Sequence, residues 1–316
     1  MSTKMIAGGV GVAVAVALCF ALFRGCASTS SSRPPAPGAA LAPAPMDAAA
    51  RALPAALENP IPSDAPQSPP EEVRFPSGPY KLRGALLRPE GPGPSPALVY
   101  NHGSESDPSL DYMGELARWF QKRGFVVLFP FRRGASGSEG QHWETLVEAR
   151  PEAERDRATV EQLDAQSDDV LAGIAFLQTQ PYVDRAFVAV AGCSFGGIET
   201  VLTAERSPDV YAAVDFAGAS FTWSKSAPLR ERLIAAVRNA RVPTFFIQAE
   251  NDFDTTPSLV LSDELAKAGK PGDRKIFPPH GRTVMAGHAH FCNHGMNEWG
   301  EDVLAFLRDA AHHVAR

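Results

Sequence analysis

The stretch FVAVAGCSFGGIETVLTAER, Phe187 to Arg206, constrains the fold more than any other part of the chain. An apolar, branched run ends at Gly192, and a helical pattern begins only a few residues later, near Gly197. Turning from strand to helix this abruptly forces the residues two before and two after the tip into close approach, which Gly192 and Gly196 permit. The tip is then Ser194, with its hydroxyl projecting outward. Cys193, one residue earlier, is expected to turn into the packing beneath. A purely structural turn would use the same glycines. A nucleophile at Cys193 would instead predict sensitivity to alkylating reagents and survival of Ser194→Ala.

The surrounding pattern gives this turn a sheet to sit on. ALVYN (97–101), VVLFP (126–130), FVAVAG (187–192), AAVDFAG (212–218) and TFFIQ (244–248) are short, apolar and rich in β-formers. Such runs suit parallel strands covered on both faces. Helical patterns separate them at 110–122, 160–180, 197–206, 229–239, 258–268 and 297–312. The alternation predicts a doubly wound, mostly parallel α/β sheet. YKLRGALLRP alternates polar and apolar residues and reads as the edge strand of a hairpin. One charged stretch, EGQHWETLVEARPEAERDRATVEQLDAQ, is a helical insertion, read either as solvated helix or as a lid over strand ends.

A serine becomes a nucleophile near neutral pH only with a base in reach and a group that orients the base. TFFIQAENDFDTTP follows a strand and offers carboxylates; a position a few residues past the strand end favours Asp252, with Asp254 second. The next loop, FPPHGRTVMAGHAHFCNHGMNEW, contains four of the eight histidines of the chain. His288, preceded by Gly287, is the expected base, with His290 the runner-up. The cluster lacks a companion ligand set at metal spacing beyond Cys292, so no metal and no cofactor is expected. For a developing oxyanion, the N–H of Phe195 at a helix start and the N–H of Ser104 in the loop HGSES are the expected donors, with His102 structural. Arg132 and Arg133 are candidate clamps for a substrate carboxylate or, alternatively, partners of the acidic insertion. Trp223 and Phe221 are candidates for lining a pocket or for core packing.

The amino terminus reads differently. Residues 1–26 carry Lys4 and an apolar run from Met5 to Phe23, the pattern of a signal or membrane-anchor segment. LFRGC ending at Cys26 resembles a lipid-attachment box, although Arg24 is unusual inside one. Residues 27–72 are rich in Ala, Pro and Ser and read as a disordered, semi-stiff linker. The folded domain is expected over 73–316. An exported protein, tethered on the outer side of a bacterial-type membrane through its N-terminal segment, is the resulting expectation. With a net charge of -6 and no basic stripe, nucleic acid is not an expected partner. Four cysteines, Cys19, Cys26, Cys193 and Cys292, are too few and scattered to suggest a disulfide framework.

Taken in order, NHGS, RRGASGSEG, GCSFGG, IQAENDFDTTP and GHAHF followed by a Trp and DVLAFL resemble the α/β-hydrolase superfamily, in its dienelactone-hydrolase-like and serine-esterase branch. The resemblance implies the α/β-hydrolase fold and a Ser194–His288–Asp252 triad acting on a small-molecule ester. Dienelactone hydrolases themselves typically carry cysteine at the elbow, where this chain has Ser194. That departure favours a serine esterase over a lactone hydrolase. Small acyl-peptidase activity and a non-catalytic binding role for the same fold are the alternatives.

Overall fold

The computed structural model describes residues 52–65 and 67–315; the expected anchor segment, Cys26 and most of the linker lie outside the described residues. Among the described residues the strands form an 8-stranded sheet in the order β1-β2-β4-β3-β5-β6-β7-β8. β1 (Glu71–Ser77), β2 (Tyr80–Leu87) and β4 (Val126–Phe131) pair antiparallel, β1 with β2 and β2 with β4. β3 (Ser95–Asn101), β5 (Val183–Cys193), β6 (Ala212–Phe216), β7 (Thr244–Ala249) and β8 (Gly272–Phe277) run parallel with each other, and β3 is parallel with β4. This is the doubly wound, mostly parallel architecture that the strand and helix alternation predicts, and the α/β-hydrolase-like fold that the resemblance implies.

The central strands are apolar throughout because both faces are covered. In β5, Phe187, Ala189, Ala191 and Cys193 face one apolar cluster, while Val188 and Val190 face another. The first face receives α1 (Ala55–Glu58), α2 (Leu110–Lys122), α8 (Phe291–His294) and α9 (Met296–Val314), centred on the fully buried Trp299. The second receives α4 (Arg155–Gln178), α5 (Phe195–Arg206), α6 (Ala227–Arg238) and α7 (Thr256–Lys267). The short α3 (Trp143–Glu148) lies in the charged insertion. No helix among the described residues is long and apolar enough to cross a membrane.

Three expectations change. The linker was expected to run to residue 72, but Leu53 and Leu57 are buried in the first cluster, and β1 begins at Glu71. Two leucines at a four-residue spacing pack a single helical turn onto the domain, which the Ala/Pro composition around them masks. YKLRGALL is not an edge strand, because β1 lies outside it. The opposite edge is β8, GDRKIF, whose exposed, charged residues give no apolar signal; polar side chains at a sheet edge hinder pairing with other chains.

Chain connectivity then fixes where chemistry can occur. β3 leads to β4 on one side, while β5 continues the sheet on the other. The winding direction therefore reverses between β3 and β5, and a crevice opens at their carboxyl ends.

Candidate active site

Ser194 stands at the carboxyl end of β5, at φ 59° and ψ -116°, in a backbone region that non-glycine residues rarely occupy. Its N–H donates to the Phe216 carbonyl at 2.9 Å, which ties the elbow to β6. The flanking glycines are required by contact. A Cβ on Gly192 would lie 2.4 Å from the Gly196 carbonyl oxygen, and one on Gly196 would lie 2.1 Å from that of Asn101. Phe195 is the first residue of α5, where an amide has no acceptor within the helix and the helix dipole favours negative charge.

Asp252 follows β7 with its carboxylate buried, and its Oδ1 lies 2.8 Å from Nδ1 of His288. The Ser220 hydroxyl and the Phe253 N–H donate to the same oxygen, at 2.7 and 2.6 Å, and Gln248 Nε2 donates to Oδ2 at 2.8 Å. A carboxylate saturated by donors in this way has one fixed orientation, and it fixes the imidazole in turn. Sequence reasoning missed Ser220 and Gln248: nothing local marks a serine after β6 as the partner of an acid after β7. Asp254 instead accepts the Thr256 N–H at 2.8 Å and caps the start of α7. His290 is exposed, and His280 and His294 bond Glu298 and Glu115 respectively.

Ser194 and His288 line one cavity of about 280 Å³, together with Gly103, Ser104 and Glu105 of the loop after β3. The rest of its wall is largely apolar, from Tyr100, Phe221, Phe253 and Met285. Phe253 packs edge-on against the His288 ring at 5.2 Å, and against Phe221 at the same separation.

Arg132 does not reach this cavity. It is buried, and it donates to the carbonyls of His102 at 2.9 Å and Gly103 at 2.6 Å and to Gln166 Oε1 at 2.7 Å. Because a trans peptide points its C=O and N–H in opposite directions, holding the Gly103 carbonyl on Arg132 turns the Ser104 N–H away from the arginine. Arg132 is thus a brace for the loop after β3 rather than a substrate clamp. Arg133 is likewise occupied: its guanidinium and its own N–H all bond Asp169, at 2.8 to 2.9 Å. Burial and the adjacent Arg132 push the His102 pKa well below its usual value, leaving a neutral ring that accepts the Arg132 N–H.

The charged insertion reaches the site through one residue that sequence reasoning did not single out. Trp143 Nε1 donates to the Ser104 carbonyl at 3.1 Å, and its ring packs 5.1 Å from that of Phe195. Trp223, in contrast, is buried among α5 and α6 residues and lines no part of the cavity; Phe221 does. Cys193 turns into the packing as expected, but it is bonded to Cys292 across a sequence separation of 99. Two cysteines this far apart give no local sign of pairing, and one bond between them is not the framework that four scattered cysteines argue against. With its sulfur bonded, Cys193 is no free thiol nucleophile.

One buried acid near the elbow carries a pH prediction. Asp215, on β6, accepts the Gly218 N–H at 2.8 Å and lies against the first turn of α5 at Gly197; its other oxygen has no protein partner. Burial pushes its carboxyl from 3.8 up to about 7. The folded state therefore keeps a proton that the unfolded chain loses. Asp215's contribution to stability should fall as pH rises from about 4 to 7 and level off above, by about 1.4 kcal/mol per pH unit inside that window, while the neutral His102, whose pKa is depressed by burial, contributes in the opposite sense below about 6.5. Glu199, also raised by burial, adds in the same direction as Asp215. Urea unfolding at pH 5 and pH 7 is expected to show a change in stability that is more negative in the wild type than in Asp215→Asn. Equal slopes would show that Asp215 ionises normally.

Against known proteins, the profile of the dienelactone hydrolase family matches residues 82–301, well over half of the chain. The chain is similar to the uncharacterized peptidase YtmA of Bacillus subtilis, at 26% identity over 235 residues covering 65% of this chain and 84% of that one. Among solved structures it is similar to an acylaminoacyl peptidase of Pyrococcus horikoshii, with 19% identity, a TM-score of 0.56, and coverage of 72% of this chain and 40% of that chain. It is also similar to the α/β hydrolase GrgF of Penicillium, with 18% identity, a TM-score of 0.56, and coverage of 77% of this chain and 99% of that chain. At such identities the structural likeness is one of fold, and the chain spans less than half the length of the acylaminoacyl peptidases it matches.

Proposed function

The chain belongs to the dienelactone hydrolase family, and from that premise we propose that it is a serine esterase that hydrolyses small, neutral carboxylic esters through an acyl-enzyme. The observation that carries the reading is the 2.8 Å His288–Asp252 bond, opening onto the same cavity as the strained elbow serine.

In this reading the Ser194 Oγ attacks the ester carbonyl while His288 Nε2 takes its proton. Asp252 holds the Nδ1–H and stabilises the imidazolium that forms. The amides of Phe195 and Ser104 receive the oxyanion, each donor contributing about 3 kcal/mol in sites of this kind. His288 then protonates the departing alcohol, and water, deprotonated by the same imidazole, releases the acid. No step requires a cofactor.

The substrate class is inferred from the wall of the cavity. With Arg132 and Arg133 both committed to protein groups, neither is available for a substrate carboxylate, and Glu105 adds negative charge instead. Tyr100, Phe221, Phe253 and Met285 favour an apolar acyl or alcohol group. A volume of about 280 Å³ suits a small one. We also propose an exported, membrane-tethered location, supported by the N-terminal apolar run and by a disulfide, a bond that persists in oxidising compartments.

The test is turnover of a series of aryl esters. Short neutral esters should be cleaved, and adding a carboxylate to the acyl group should lower kcat/KM by about tenfold or more, a difference of ~1.4 kcal/mol. Preference for acylaminoacyl anilides over esters would move the reading to the peptidase alternative. A folded protein with no turnover on either series would favour a binding role.

A further inference from the structure

We propose that the Cys193–Cys292 disulfide is a positioning element of the active site, holding the base against the nucleophile, so that hydrolysis depends on the redox state of this bond. The inference rests on the Ser194–His288 reading above. Its first support is place. Cys193 is the residue immediately before Ser194, and Cys292 comes four residues after His288, one turn on along the same helical path. The bond therefore joins the two segments whose relative position decides whether a proton can pass from Ser194 to His288.

The second support is what surrounds the bond. The Cys292 sulfur lies 3.1 Å from the carbonyl oxygen of His288 and 4.0 Å from that of Phe216, and the Phe216 carbonyl is the acceptor that holds the Ser194 N–H. One sulfur thus touches the backbone of the base and the backbone that anchors the elbow. On its other side, the His288 segment follows a loop whose Val284 and Met285 are exposed and whose His280 and Thr283 carbonyls accept from the Asn251 amide. The base is carried on a short π-helical turn, Ala286–His290, with its covalent anchor on the C-terminal side.

The third support is access. Cys193 forms part of the cavity wall, so a small thiol can approach the bond through the opening that admits substrate. A dithiol thiolate attacks the Cys193 sulfur and Cys292 departs as a thiolate. The second thiol of the reagent then attacks the mixed disulfide, closing to a cyclic disulfide and releasing Cys193. Two electrons and two protons pass from the reagent to the protein.

A bond that merely stabilised the fold would lower Tm and leave the folded enzyme unaltered. A positioning bond changes kcat, because the misplaced base costs the transition state more than substrate binding. The experiment compares oxidised full-length protein, the same protein reduced with dithiothreitol, and Cys193→Ala/Cys292→Ala, well below the Tm of each. We expect kcat for a short aryl ester to fall about tenfold or more on reduction and in the double variant, with KM within about twofold, and reoxidation of the reduced protein to restore it. Hydrogen exchange across residues 284–295 should quicken in parallel. Unchanged kcat with a lowered Tm overturns the proposal. If the double variant fails to fold, the reversible reduction decides alone. If the oxidised protein neither cleaves esters nor takes up a fluorophosphonate, the triad reading has failed. Hydrogen exchange then judges the positioning claim independently, and unchanged exchange on reduction overturns it.

Discussion

Ser194→Ala is expected to lower kcat/KM for a short aryl ester by about 10⁴-fold or more, which at ~1.4 kcal/mol per tenfold removes over 5 kcal/mol of transition-state stabilisation. The folded state should change little. Ser194 is half-buried, and its backbone conformation is set by the Phe216 carbonyl and the close approach of Gly192 and Gly196 rather than by the hydroxyl. Alanine at the same positive φ carries the same strain as serine. The variant is therefore a clean test, read as lost turnover with an unchanged Tm. Comparison with Cys193→Ala/Cys292→Ala separates the two neighbours by magnitude: loss of the hydroxyl removes the nucleophile, while loss of the disulfide only loosens its alignment. If the cysteine variant were the inactive one and Ser194→Ala retained turnover, the elbow would have been assigned to the wrong residue.

Asp252→Asn should cost about 10³- to 10⁴-fold in kcat, with a distinctive pH dependence. The acid accepts the His288 Nδ1–H at 2.8 Å. An asparagine can present its NH₂ there instead, which favours the tautomer with hydrogen on Nε2 and leaves no lone pair to accept the Ser194 proton. Residual turnover should then rise toward alkaline pH, as hydroxide takes over from the missing base. Asp254→Asn supplies the contrast. That carboxylate caps α7 through the Thr256 N–H, so its replacement should cost at most about 1 kcal/mol of stability and leave turnover within about twofold. A profile in which Asp254→Asn is the damaging change would reverse the assignment of the orienting acid.

The elbow was legible because it is local. Two glycines at fixed offsets, a strand before and a helix after are contained in some twenty residues, and steric necessity links them. The acid was legible for a related reason, since it follows the visible apolar run TFFIQ, and the histidine was legible from the clustering of four histidines in the next loop. What escaped notice depends on chain segments far apart. Arg132 and Arg133 stood open between a substrate clamp and partners of the acidic insertion, and only the fold decides for the second: Gln166 ends that insertion and Asp169 follows it on α4, more than thirty residues after the arginines. The guanidinium of Arg132 braces the loop after β3, a role that required the carbonyls of His102 and Gly103 to be located first. Ser220 and Gln248 converge on Asp252 from the ends of β6 and β7, and the Cys193–Cys292 bond spans most of the second half of the domain. The edge strand β8 was hidden by its own chemistry, since charges that protect a sheet edge erase the apolar signature of a strand. Leu53 and Leu57 were hidden by composition, two anchoring side chains in a stretch otherwise suited to a spacer.

Trp143 shows how an insertion acquires a role in a site that it does not build. Its indole holds the Ser104 carbonyl and its ring covers Phe195, the two residues proposed to donate to the oxyanion. Together with Arg132 beneath, it fixes the loop after β3 from two directions.

Covalent acylation of Ser194 is open to direct measurement, by mass spectrometry of the full-length protein after reaction with a fluorophosphonate. A single adduct is expected, on the peptide containing Ser194, formed at a rate that falls in Asp252→Asn and is abolished in Ser194→Ala. An adduct on any other residue, or ester turnover that continues in a protein that the reagent does not label, would contradict it.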